Sequence, residues 1–222
     1  MELITKWSEL NLKDELLRGI YSYGFEEPSP IQGKSILPIT SGKDIIAQAQ
    51  SGTGKTGAFS ISMLQRIDEN KKEPQGLIMA PTRELALQIH KVVENLGRFL
   101  NISCKLLIGG NSIDQNISDL ESMPHILIGT PGRVHDLIRR KKLNSKTIKM
   151  LVLDEADDML STGFKDQIYS IFQHLSNDIQ IVLFSATLPN DILQLTSKFM
   201  RDPINILVKK DSVTLEGIKQ YY

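Results

Sequence analysis

Ala49-Gln50-Ser51-Gly52-Thr53-Gly54-Lys55-Thr56 follows an apolar run at 44–47 and leads into a segment of helical character at 55–68. Strand, glycine-rich loop, helix is the layout of a phosphate-binding loop, and the residues fit G-x-x-x-x-G-K-[ST] except that Ala49 stands at the first glycine. Position matters more than that substitution. The amino end of a helix offers unpaired N–H groups and a positive dipole, and Gly52 and Gly54 let the backbone wrap a phosphate together with Ser51 and Thr53. Lys55 can reach the β- and γ-phosphates, and the Thr56 hydroxyl can ligate Mg²⁺. An ordinary glycine turn before a helix would look the same in isolation, so the segments around it decide.

Outward from this loop, short apolar runs recur at 44–47, 77–80, 105–108, 126–128, 150–153, 179–184 and 204–208. They read as buried strands. Helical periodicity falls between them, most clearly at 84–100, where Leu85, Ile89, Val92, Leu96 and Phe99 line one face. Alternating strands and helices imply right-handed crossovers and a parallel sheet of about seven strands covered on both faces. The polar segments then fall in one pattern: the glycine loop, Pro-Thr-Arg-Glu, Thr-Pro-Gly-Arg, Asp-Glu-Ala-Asp and Ser-Ala-Thr each follow a strand. They share the carboxyl edge of the sheet, where ligands bind in open α/β folds.

Composition agrees with one α/β domain. Among 222 residues, 26 Lys+Arg balance 26 Asp+Glu and 41% are hydrophobic, which excludes a disordered polyelectrolyte and blanket adhesion to nucleic acid. No stretch approaches the apolar length of a membrane span, and Met1 to Leu10 does not read as a secretion signal. A single cysteine, Cys104, suits a reducing compartment, cytosol or nucleus, where Asn101 and Asn116 carry no glycosylation meaning.

Asp154-Glu155-Ala156-Asp157 closes the apolar run at 150–153 and is read as a Walker B arrangement, at the end of a strand beside the phosphate loop. One carboxylate there can hold the Mg²⁺ shell and a second can orient or deprotonate the attacking water. Asp154 takes the first role and Glu155 the second; with Lys55 they form the catalytic set. Alone, the four residues would also suit an acidic helix start.

With these residues in place, the chain resembles the DEAD-box RNA helicases along its whole length, the motif being spelled by Asp154 to Asp157. Residues 24–32, Gly-Phe-Glu-Glu-Pro-Ser-Pro-Ile-Gln, are similar to that family's Q motif, and Trp7 stands upstream as its isolated aromatic. The resemblance implies that Gln32 reads the adenine edge and Phe25 stacks on the ring; read as plain structure, Phe25 and Ile31 would be core and Gln32 solvent-exposed. Pro81-Thr82-Arg83, Gly109-Gly110 and Thr130-Pro131-Gly132-Arg133 resemble its single-strand RNA contacts. They offer hydroxyls, bare backbone and helix amino ends, which suit phosphate and sugar contacts without base reading. Ser185-Ala186-Thr187 resembles the coupling motif, whose hydroxyls would pair with Asp157. Arg139 to Lys142 ends a helix and reads mainly as a solvated face.

The same resemblance sets expectations for fold, activity and partners. The fold is a RecA-like P-loop NTPase domain over 1–210, with an interdomain linker starting at 211–222 and a second helicase domain absent from this chain. The activity is ATP-dependent RNA unwinding with ATP and Mg²⁺ as cofactors. The partners are single-stranded or locally duplex RNA without sequence preference and a helical-repeat scaffold of the initiation-factor type, with the protein itself monomeric. Segments 12–21, 148–153 and 215–222 are similar to the branch of eukaryotic translation initiation factor 4A and its exon-junction and nucleolar relatives. Lacking the second domain's arginines, the chain alone is expected to lose about 4 to 7 kcal/mol of transition-state stabilisation. Two other readings stay open: a metabolic P-loop kinase without RNA linkage, and an RNA clamp or scaffold-docking module holding ATP as a ligand.

Overall fold

In the computed structural model, which describes residues 3–110 and 112–208, seven strands form one sheet in which every pairing is parallel. They are β1 (Ile45–Ala49), β2 (Gly76–Met79), β3 (Cys104–Leu107), β4 (Ile126–Gly129), β5 (Met150–Leu153), β6 (Gln180–Ser185) and β7 (Ile204–Val208). Each apolar run of the sequence is thus a strand. The order across the sheet is β3-β4-β2-β5-β6-β1-β7. Strands buried on both faces read as continuous apolar runs, and alternate residues feed two separate cores. Ile45 and Ala47 point into one cluster with Phe59 and Phe184, while Ile46 joins Leu77, Leu151 and Leu183 in the other.

The first core is covered by α1 (Asp14–Ser22), α2 (Pro30–Thr40), α3 (Lys55–Arg66) and α4 (Arg83–Leu96). The second is covered by α5 (Ile113–Glu121), α6 (Pro131–Arg139), α7 (Ala156–Ser161), α8 (Lys165–His174) and α9 (Asn190–Phe199). Helices on both faces of a parallel sheet, with every connection a crossover, place all the strand ends that precede helices on one edge.

Strand β5 is one strand removed from the phosphate-loop strand, with β6 between them, Val182 pairing with Ile45 on one side and Val152 on the other; its end still meets the phosphate loop, where Asp154 and Lys55 line one hollow. Pairing partners are a long-range choice that local apolar runs do not report. Helices α2 and α5 appear where no helix is read from the sequence, and α7 is the acidic helix start that Asp154 to Asp157 also suit. Helix α2 is buried around most of its circumference and so lacks a polar stripe, although Ser29 and Gln32 form a capping box with Pro30 at the first helical position.

Cys104 sits half-buried at the head of the edge strand β3, where burial and then the nearby Glu94 carboxylate push its thiol up to about 12. Asn116 is fully buried, its amide donating to the Leu106 carbonyl. No described helix is long and apolar enough to cross a membrane. The expected linker at 211–222 lies outside the described residues.

Candidate functional site

The loop after β1 turns through Gly52 (φ 81°) and Gly54 (φ 97°), both in the left-handed region, where glycine carries no Cβ penalty. That turn aims the first N–H groups of α3 at a hollow of about 400 Å³. Gly52, Gly54, Lys55 and Thr56 line it together with Tyr23, Phe25, Asp154 and Glu155. Lys55 is 6% exposed and its Nζ has no hydrogen-bond partner. A buried ammonium without a partner is costly, so this one is built to meet an anion. Cradle, dipole and orphan cation together fit a nucleotide's phosphates.

The segment that resembles the Q motif packs on this loop. Ser29 Oγ donates to the Thr53 carbonyl (2.9 Å). Gln32 is 3% exposed, its Oε1 accepting from Ser29 N–H (2.8 Å) and its Nε2 donating to the Gly54 carbonyl (3.2 Å). The reading of Gln32 as a solvent-exposed residue is therefore wrong: the amide is folded inward and ties α2 to the phosphate loop. Phe25 lies beside the hollow, stacked on Trp7 (6.3 Å between centroids) and edge-on to Tyr23 (4.8 Å). Trp7, 1% exposed, donates its indole N–H to the Phe25 carbonyl (3.2 Å) and so fixes the aromatic wall. Two contributors are absent from the sequence-based site. Tyr23 lies only two residues before Phe25, and Gly57 allows the close fit, since a methyl there would stand 2.5 Å from Gln32 Nε2 and 2.9 Å from Phe25 Cε2.

Asp154 and Glu155 come from the end of β5. Asp154 is 2% exposed; burial pushes its carboxyl up to about 6 against the opposing pull of Lys55, and Glu155 adds to the rise. Its Oδ1 accepts from Glu155 N–H (3.0 Å). Because the folded pKa lies above the ordinary 3.8, this group's stabilising contribution is complete below about pH 4 and is lost as pH rises through about 6. Two units correspond to about 3 kcal/mol. Asp154→Asn is expected to remove that part of the pH dependence and to leave the chain more stable than the parent at pH 7.5 but not at pH 4; urea unfolding of both chains across this range checks it. Glu155 holds the left-handed backbone conformation (φ 51°), a strained geometry for a side-chain-bearing residue and one that recurs at functional positions.

A second hollow of about 400 Å³ shares Ser51, Lys55 and Glu155 with the first and runs on to Asp157, Ala186 and Thr187. Here β5 and β6 are bonded through their loops. Thr187 donates from both N–H (3.0 Å) and Oγ1 (2.7 Å) to Asp157 Oδ2, and Asp157 N–H donates to Ser185 Oγ (3.2 Å). Burial works to raise the Asp157 carboxyl, but the bonds from Thr187 and Ser185 outweigh it and hold the group below the usual carboxylate range.

Further along the same edge lies an open groove of about 590 Å³. Thr82 and Arg83 enter it from α4, Gly109 from the end of β3, and Thr130, Gly132 and Arg133 from the start of α6. The structure thus brings together three segments that are far apart in sequence. Thr82 caps α4, accepting from Leu85 N–H (3.2 Å), and Pro131 takes the first position of α6. Arg83 lies over the bare backbone of Gly109 and Gly110, where added methyl groups would meet its guanidinium at 2.9 and 2.8 Å. Arg133 is held from behind, its Nη1 donating to Asn116 Oδ1 and to the Ser112 carbonyl (3.5 Å). Asn116 and α5 are a support that no motif in the sequence announces. The basic run at 139–142 stands apart as a solvated helix end, with Arg140 Nε 2.9 Å from Asp136 Oδ2.

A parallel α/β sheet whose carboxyl edge carries a phosphate cradle, a buried lysine and an acidic pair defines a P-loop nucleotide-binding domain of the RecA type. Comparison with known proteins makes this more specific. The DEAD/DEAH box helicase family model matches residues 29–195. The chain is 60% identical to "ATP-dependent RNA helicase eIF4A" of Pyricularia oryzae and 59% identical to the protein of that name from Schizosaccharomyces pombe, in each case over all of this chain and 56% of the relative. It is 57% identical to "ATP-dependent RNA helicase FAL1" of Mycosarcoma maydis, with the same coverage. Among solved structures it is similar to a DEAD box protein from Methanococcus jannaschii, with a TM-score of 0.89 and 38% identity over 94% of this chain and 57% of that one. It is also similar to an S. cerevisiae Dbp5 variant bound to Gle1 and IP6, with a TM-score of 0.84 and 37% identity over 94% of this chain and 54% of that one. The chain belongs to the DEAD/DEAH box helicase family. It spans about half the length of the relatives it matches.

Proposed function

We propose that this chain is the nucleotide-binding half of an ATP-dependent RNA helicase that works in translation initiation or a related RNA-processing step in the cytoplasm, and that a second domain completes both the ATP site and the RNA groove. The observation that carries this reading is the buried Lys55 ammonium, without a hydrogen-bond partner, at the foot of a glycine cradle, on the same sheet edge as the Asp157–Thr187 bond and the groove lined by Arg83 and Arg133. Similarity to relatives named RNA helicases supports the substrate assignment.

In this reading each residue has one task. Lys55 and the N–H groups at the start of α3 hold the phosphates, and Phe25 covers the base. Gln32 reads adenine by giving up its bond to the Gly54 carbonyl, so base recognition and loop shape are linked. Thr56 and Asp154 would hold Mg²⁺, which neutralises phosphate charge and would draw the Asp154 carboxyl back down. Glu155 orients the attacking water and accepts its proton. Asp157, Ser185 and Thr187 transmit the state of this site to the groove. Pro81, Thr82, Gly109, Gly110, Thr130, Pro131 and Gly132 shape the path of the RNA backbone, while Arg83 and Arg133 supply its countercharge. A helical-repeat scaffold protein is the partner proposed for the joined domains.

The test is steady-state ATP hydrolysis with and without single-stranded RNA of arbitrary sequence, for this chain alone and for a chain extended to its relatives' length. RNA should stimulate the extended chain and not this one. Hydrolysis indifferent to RNA in the extended chain would favour a P-loop kinase, and RNA binding without hydrolysis a clamp. Backbone-only contact adds a second expectation: RNA affinity falls with log salt, and Arg83→Ala makes that slope shallower by about 0.7 for every sequence tested. A loss confined to one base sequence would show base reading instead.

A further inference from the structure

Away from the carboxyl edge, where α4 packs against β3, three metal-ligating side chains converge. His90 and Glu94 stand four residues apart on one helix face, with Nδ1 and Oε2 3.2 Å apart. Helix α4 packs against β3, and that contact brings Cys104 to the same place, so that the nitrogen, the carboxylate oxygen and the sulfur all lie within 4.8 Å of one another. From zinc's bond lengths, a tetrahedral site needs N···O edges of about 3.3 Å and edges to sulfur of about 3.6 Å. The His90–Glu94 edge already matches, and those to sulfur are within about an ångström of closing. Glu94 and Cys104 also border a hollow of about 380 Å³ that leaves room for water as a fourth ligand. Two cations border that hollow too, but Arg98 lies over the Phe99 ring and Lys105 is paired with Asp119 (3.7 Å).

We propose that His90, Glu94 and Cys104 form a zinc-class metal site that clamps helix α4 to the edge strand β3. The ligand set selects the metal. One sulfur and one imidazole suit a borderline-soft ion such as Zn²⁺, whereas Mg²⁺ takes oxygen ligands in near-octahedral geometry. The site is therefore chemically distinct from the nucleotide site. Its placement has a consequence for the groove. Among the described strands β3 pairs with β4 alone, so its other side has no strand to hold it. Helix α4 begins at Arg83 and β3 leads to Gly109 and Gly110, over which Arg83 lies. A metal bridging the far ends of these elements braces one wall of the groove against the other.

Titration of the 222-residue chain with Zn²⁺, and with Cd²⁺ as a spectroscopic probe, both in excess Mg²⁺, tests the site. One ion per chain should bind, with an ultraviolet thiolate-to-cadmium charge-transfer band and a rise in melting temperature. Cys104→Ser should abolish the band, and His90→Ala should weaken binding at least tenfold. Glu94→Gln should do the same at a side chain 58% exposed, where the fold is not at risk. Absence of the band in the parent chain, or zinc affinity unchanged in all three variants, would place any bound metal elsewhere and overturn the proposal. Neither result bears on the helicase reading, which uses none of these residues.

Discussion

Replacing Lys55 with alanine lowers the affinity of the chain for ATP about 100-fold without unfolding it. The size comes from what the side chain does in each state. With no phosphate present, the Nζ atom is buried and makes no hydrogen bond, so its desolvation is offset there only by its attraction to the Asp154 carboxyl. With phosphate present it forms charge-assisted bonds, each contributing about 1.5 to 3 kcal/mol in a site of low dielectric. The alanine variant should keep or raise the parent's thermal stability, because a desolvated cation is removed. The one electrostatic cost falls on Asp154, whose carboxyl loses the cation that opposes its upward shift. Calorimetric titration with ATP, alongside thermal unfolding of both chains, separates the two effects. Undiminished ATP affinity would remove Lys55 from the phosphate site, and a collapsed melting transition would show that the ammonium is structural.

Glu155→Gln, in a chain extended to the length of its relatives, leaves ATP affinity within a few-fold and cuts RNA-stimulated hydrolysis by about 10² to 10⁴. Glutamine matches glutamate in shape and cannot accept a proton from water. The residue is well placed for that task. Its left-handed backbone sets it at the head of α7, and it lines both the nucleotide hollow and the one leading to Asp157 and Thr187. Asp154 is different, being deeply buried against Lys55. The two neighbouring acids thus have separate environments, which is the arrangement that lets paired carboxylates divide metal holding from proton transfer. Single-turnover hydrolysis with RNA, beside nucleotide binding, is the measurement. Loss of binding in step with hydrolysis would mean that Glu155 shapes the site and does not act on the water.

Much of this molecule is legible in its sequence because the signals are local. A parallel strand buried on both faces must be a short apolar run, as the five inner strands are, and the runs at the two edges, β3 and β7, are strands as well. Polar segments after those runs must sit at one edge once the connections are crossovers, and the three hollows lie there. Helix starts are less legible where a second meaning competes for the same residues. Ser29-Pro30-Ile31-Gln32 is both a helix-capping sequence and the end of the segment that resembles the Q motif, and the second meaning hides the first. Helix α5 carries its own signal, Ser112 capping Gln115 N–H ahead of Ile113, Ile117 and Leu120, yet its part in the groove becomes visible only when Asn116 is seen holding Arg133.

The chain by itself therefore determined the sheet, its parallel sense, the edge that carries function and the residue types present there. Tertiary structure alone decided that β6 separates β5 from the phosphate-loop strand β1, that Gln32 turns inward to the Gly54 carbonyl, that Lys55 and Asp154 share a desolvated hollow, and that His90 and Glu94 meet Cys104. Apolar periodicity reports how deeply a residue is buried and is blind to its neighbours. Strand order, charge coupling and ligand convergence arise from contacts between distant segments, and they exist only once the chain has paid the entropy of bringing those segments together.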